Sequence, residues 1–164
     1  MSEVPDRIEK KIVLRAPRER VWRAISDAGE FGAWFGVRFD GPFAPGKALR
    51  GKITPTQVDA EVAKTQKAYE GASFEIVVDR IEPMRLFSFR WHPFAVDTSI
   101  DYSKEPATLV VFELHDAPEG TLLTLTESGF DKVLPERRAR AFTSNDGGWT
   151  AQMTLVAKYV HRAA

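Results

Sequence analysis

The sequence predicts an α+β domain: a curved antiparallel sheet of about six or seven strands wrapped around one long C-terminal helix, with two short helices after the first strand. Three observations predict it. Between Ser73 and Ser128 the chain alternates with period two, which puts one apolar face on each strand and marks an antiparallel sheet covered on one side. From Pro135 to Val160, Phe142, Trp149, Met153, Val156 and Val160 recur at helical spacing and supply that cover. Ahead of the sheet, Ala16-Pro17 and Asp27-Ala28-Gly29 bracket two short helical stretches.

The elements follow in order. Arg7–Arg15 is a β-rich run and reads as the first strand. Pro17 suits a first helical position, Val21, Trp22 and Ile25 keep helical spacing, and Asp27-Ala28-Gly29 ends that helix. Glu30–Phe35 is a second helical turn that offers Phe31, Trp34 and Phe35. Val37–Phe43 and Lys47–Thr54 form a hairpin across Ala44-Pro45-Gly46. Thr56–Glu70 breaks the β pattern with Val58, Val62 and Tyr69, a short helix or ordered loop that could serve as a lid. Four clearer strands come next: Ser73–Ile81, Arg85–His92, Ala107–His115 and Thr121–Ser128. Phe87, Phe89 and Trp91 share one face, as do Val110, Phe112 and Leu114, and Leu123, Leu125 and Glu127. Gly147-Gly148 interrupts the last helix and suggests a kink or a close approach to the sheet.

Composition narrows the function. At 164 residues the chain is sized for a single domain, 1–164, and large enough to bury a core without a disulfide or metal staple. It has no cysteine, which excludes disulfides, thiolate-ligated zinc, iron–sulfur clusters and thiol nucleophiles. Its 23 Lys+Arg balance 23 Asp+Glu, so the basic excess of a nucleic-acid binder is missing. The charged N-terminal stretch does not read as a secretory signal, and no apolar run is long enough for membrane insertion. A cytoplasmic location is the expectation. Phosphate loops, dinucleotide fingerprints, nucleophile elbows and zinc-protease motifs are absent, so no cofactor and no metal are expected. His92, His115 and His161 carry no metal-ligand spacing; His115 has solvent parity, and His161 sits near a fraying end.

The aromatic residues carry the positive signal. Eleven Phe, four Trp and three Tyr fall largely where the elements converge. Trp34, Phe35, Phe39, Phe74, Phe89, Trp91, Trp149 and Met153 are the candidate wall of a ligand cavity between the last helix and the sheet. Packed core is the competing reading of each ring. Glu127 has inward parity, so it must pair with an arginine, hold its proton or sit at a wet rim. With His92 and Tyr102 it forms the short set of candidate acid–base groups. Asp97, Asp101 and Glu105 lie in a loop that reads as solvated and acidic, and Glu136–Arg140 opens the last helix with a basic turn that reads as a solvated face, a pair for acidic neighbours or a partner contact.

These residues also carry a family resemblance. Ile12–Pro17, Arg20–Ala24, Trp34-Phe35, Pro45-Gly46, Ile81-Glu82-Pro83, Leu86–Trp91, Thr124–Phe130 and Gly147-Gly148-Trp149 together resemble the SRPBCC (START-like, Bet v-like, helix-grip) superfamily. Within it they resemble the branch of homologues of the activator of heat-shock-protein-90 ATPase. The resemblance implies a helix-grip fold and three candidate functions. One is binding of a small hydrophobic ligand, lipid-like, polyketide-like or aromatic. Another is a cyclase or hydrolase using the same cavity. The last is a chaperone-associated module that stimulates an ATPase, with a chaperone or a second copy of the chain as partner.

Overall fold

A computed structural model of the chain describes residues 6–92 and 105–162. Seven antiparallel strands form one curved sheet in the order β1-β7-β6-β5-β4-β3-β2. They are β1 (Arg7–Leu14), β2 (Val37–Phe39), β3 (Ala48–Ile53), β4 (Ser73–Glu82), β5 (Leu86–Trp91), β6 (Thr108–Ala117) and β7 (Gly120–Ser128). The first strand therefore leaves the meander order and closes the sheet beside the last, with Ile8 opposite Glu127. Helices α1 (Arg18–Ser26) and α2 (Ala28–Phe35) connect β1 to β2, α3 (Ala60–Lys67) connects β3 to β4, and α4 (Pro135–Arg162) crosses the concave face.

Local chemistry explains the short helices. Asp27 caps α2 by accepting from the Glu30 amide at 2.8 Å, and Gly36 ends it in the left-handed region at φ 95°. A side chain at Gly32 would meet the Val37 carbonyl at 2.1 Å, so the α2–β2 corner closes only around a glycine. Trp34 is fully buried beneath this corner and donates its indole N–H to the Ala24 carbonyl at 2.8 Å, tying α2 to α1. Asp59 caps α3, whose own residues are all outside the core. That helix is held by polar ties: Gln66 reaches the Thr56 amide and the Phe35 carbonyl, and Lys158 pairs with Asp59. Lys158 and the capped amides hold the Asp59 carboxyl below its ordinary value.

The core lies between α4 and the sheet. Ala141, Trp149, Met153, Leu155, Val156 and Val160 descend from the helix onto Ile8, Val110, Phe112, Leu123 and Leu125. The predicted inward parity of β5, β6 and β7 holds, and His115 faces solvent as expected. Three expectations are corrected. Helix α4 runs through Gly147-Gly148 over 28 residues, and a Cβ at either glycine meets nothing within 4 Å, so neither marks a close approach. His161 does not fray: its Nε2 accepts the Arg15 amide at 3.0 Å and pins the helix end to the end of β1. Glu105 is not solvated with its loop, and the basic turn takes the reading in which it pairs with an acidic neighbour. Glu105 is buried and takes a forked ion pair from Arg137 at 3.1 Å, while Arg138 donates to the carbonyls of Asp131 and Val133.

Candidate functional site

The ends of β5, β6 and β7 nearest α4 bring the distinctive chemistry together. Trp91 and Thr108 face each other across the β5–β6 register, and Val110 lies opposite Glu127 across β6–β7. Above them Asn145 and Trp149 are one helical turn apart and project from the same face of α4. The Glu127 side chain stands at the meeting point with 0% exposure.

Its two oxygens are enclosed by donors. One accepts from the Trp149 indole at 2.8 Å and from Asn145 Nδ2 at 2.9 Å. The other accepts from the Trp91 indole at 2.7 Å, from the Thr108 hydroxyl, and from Asn145 Nδ2 at 3.1 Å. An indole N–H can only donate, so each oxygen is committed as an acceptor to one tryptophan. Among the described residues every donor here is neutral and no cation reaches the carboxyl group. The expected arginine partner and the expected wet rim are both replaced by this cage. Neutral dipoles compensate the burial in place of a counter-charge.

Several of the rings named as a candidate wall gather beside the cage. Trp91 and Trp149 lie 5.6 Å apart between ring centroids. Phe35 packs on both, at 6.3 and 5.9 Å, Phe89 meets Trp91 at 5.2 Å, and Phe74 meets it at 6.0 Å before passing on to Phe39 at 6.2 Å. The members divide by exposure. Trp34, Phe89, Trp149 and Met153 are buried in the core, whereas Phe35, Phe39, Phe74 and Trp91 are only partly covered. The rings touch one another, so in this state the cluster is packed rather than lining an enclosed void. Phe31 joins it from below, in contact with Trp34, Phe35 and Phe39.

Of the other candidates, His92 donates Nε2–H to the Glu105 carbonyl at 2.8 Å and does not reach Glu127's oxygens. Tyr102 lies outside the described residues, as do Asp97 and Asp101. Sequence reasoning missed Asn145 and Thr108. Both left a signal: Asn145 precedes Trp149 by four positions, and Thr108 shares the parity of Val110 and Phe112. Two open grooves lie away from the cluster, one of about 620 Å3 beside Val58, Thr154, Ala157 and Lys158, the other of about 390 Å3 along α3. Among the described residues no three His, Asp or Glu side chains gather as a metal site, and no helix is long and apolar enough to cross a membrane.

A curved antiparallel sheet gripping one long C-terminal helix, with two short helices after the first strand, is the architecture of helix-grip proteins. The family model for "Activator of Hsp90 ATPase homolog 1-like protein" matches residues 15–161, and the chain belongs to that family. No curated protein matches the chain. Among solved structures it is similar to protein MLL2253 from Mesorhizobium loti, at 21% identity and a TM-score of 0.70, covering 96% of this chain and 98% of that one. It is also similar to DynU16, a putative protein in the dynemicin biosynthetic locus, at 24% identity and a TM-score of 0.68. That match covers 96% of this chain but 48% of DynU16, about half its length. The Aha1 dimer from Colwellia psychrerythraea matches at 13% identity and a TM-score of 0.62, with 90% of each chain covered. At these identities the likeness is one of fold.

Proposed function

We propose that this protein binds a small, mostly apolar molecule at the end of the helix grip where Trp149 of α4 meets Trp91 of β5. The observation that carries this reading is the continuity of the ring cluster from core to surface. Phe35, Phe39 and Trp91 keep part of their area uncovered while touching the buried rings of Phe31, Phe89 and Trp149, and Phe74, also partly covered, bridges Phe39 and Trp91. Partly covered aromatic area next to a few fixed polar groups is the usual make-up of a small-molecule site. Binding requires only these rings and the polar cage behind them, whereas turnover also requires a group placed to move a proton of the bound molecule.

Thermal unfolding against a panel of aromatic, polyketide-like and fatty compounds tests the reading, with native mass spectrometry to detect co-purified ligand. A compound at 100 times its Kd adds about 2.7 kcal/mol, a shift of several degrees in a domain of this size. The expected outcome is a shift that is lost in a folded Trp91→Ala variant. A panel with no shift and no co-purifying mass overturns it.

A further inference from the structure

The cage around Glu127 places a condition on what the cluster can hold. We infer that the ligand is an apolar molecule carrying a hydrogen-bond-donating group, an amine or an alcohol, which docks on Glu127 in place of the Asn145 amide. This deepens the binding reading above and rests on it.

The argument starts from polarity. The carboxyl group is the one polar centre within the ring cluster to which five hydrogen bonds converge among the described residues, and it acts in all of them as acceptor. Groups that enter this centre must therefore donate. A ligand carboxylate has only acceptors to offer and would meet Glu127 oxygen to oxygen, with no cation among the described residues to separate them. A hydroxyl or ammonium group supplies what the centre takes.

Asn145 is the member that can leave. Thr108, Trp149 and Glu127 are buried, whereas Asn145 and Trp91 are only partly covered. Trp91 is also held by its contacts with Phe35, Phe74, Phe89 and Trp149. Asn145 has no ring to pack, and its single Nδ2 is divided between both oxygens at 2.9 and 3.1 Å. Turning it to solvent frees an acceptor position on Glu127 while both indoles stay bonded. The exposed side of the cage thus holds a replaceable donor, and the buried side holds fixed ones.

Three probes that share one ring system separate the alternatives: naphthylmethylamine, naphthylmethanol and naphthoate, titrated calorimetrically into the native protein and two variants. The amine and alcohol are expected to bind more tightly than naphthoate by about tenfold or more, the worth of one hydrogen bond to a charged group. Asn145→Ala removes the competing donor and is expected to tighten amine and alcohol binding while leaving naphthoate unchanged. Glu127→Gln is expected to bring the three probes to similar affinity. The indole N–H resonance of the buried Trp149 reports engagement of the cage, because a probe on Glu127 shifts it together with that of Trp91, whereas a probe confined to the outer rings shifts Trp91 alone. Naphthoate binding as tightly as the amine overturns the inference and leaves the binding reading standing. Weaker amine binding in Asn145→Ala does the same, so the inference stays open to refutation even where Glu127→Gln does not fold. Silence from all three probes also overturns the inference, and the binding reading falls with it only when the wider panel is silent too.

Discussion

Glu127 shows how one residue can hold four strands and a helix in register. Its oxygens take donors from β5, β6 and α4 while its own backbone pairs with β1 and β6. Glutamine is nearly the same size but offers one acceptor oxygen and one donor NH2 group. Since each oxygen of Glu127 faces an indole N–H, Glu127→Gln must set one N–H against another. The expected cost is about 1–3 kcal/mol, read as a lower urea midpoint with an unchanged slope. Trp91→Phe, which removes a donor and keeps a ring, is expected to cost less. The inward parity of Glu127 was legible in the alternation of β7, and so was the need to satisfy it. Its partners were not, because Trp91, Thr108 and Asn145 stand 36, 19 and 18 positions away and meet only when strands and helix close.

At the scale of elements, α4 is the plainest test of the sequence reading. Its apolar stripe predicted the helix and its buried face: Trp149, Met153, Val156 and Val160 lie in the core, while Phe142 is only partly covered and packs on Phe130. The glycine pair was open to two readings, since a glycine in a helix costs about 1 kcal/mol against alanine unless tight packing repays it. Nothing repays it here: both positions are exposed and a methyl group at either meets open space. Gly147→Ala and Gly148→Ala are therefore expected to stabilise the protein by about 0.5–1 kcal/mol each, measured by thermal unfolding, with binding unchanged. Loss of stability in either would mean that the helix bends or opens there in solution. Helix α3 lies at the other extreme. The sequence left it as helix or loop because Val58, Val62 and Tyr69 are too few for a full apolar face, and the structure packs Val62 against the core and adds the Asp59, Gln66 and Lys158 ties.

Across the whole molecule, the end opposite the Glu127 cage is fastened by a second polar cluster. The Tyr159 hydroxyl donates to Glu30 at 2.9 Å, Arg20 pairs with Glu30 at 2.8 Å, and the Arg20 guanidinium lies 4.7 Å from the Tyr159 ring centre. These contacts join α1, α2 and α4. Burial, followed by the hydrogen bond to Glu30, raises the Tyr159 hydroxyl above its ordinary value of 10.0. The folded protein then keeps this proton at pH values where the unfolded chain releases it. The contribution is complete below about pH 10 and is lost as pH rises through the folded value. Tyr159→Phe should accordingly flatten the alkaline fall in stability followed by circular dichroism, and an unchanged alkaline limb would assign that fall to other groups.

The succession of strands and helices along the chain and their inward faces are properties of local pattern. They follow from periods of two and 3.6 and from the conformational limits of proline and glycine, so the linear chain carries them. The closing of β1 against β7, the neutral cage around Glu127 and the ion pair between Glu105 and Arg137 are matters of distance between remote residues. A one-dimensional pattern states what a side chain must find, a donor for a buried acceptor or cover for a ring. Which partner satisfies it is decided only when the sheet curves and α4 settles into it, because side-chain interactions act over a few ångströms of space and not along the chain.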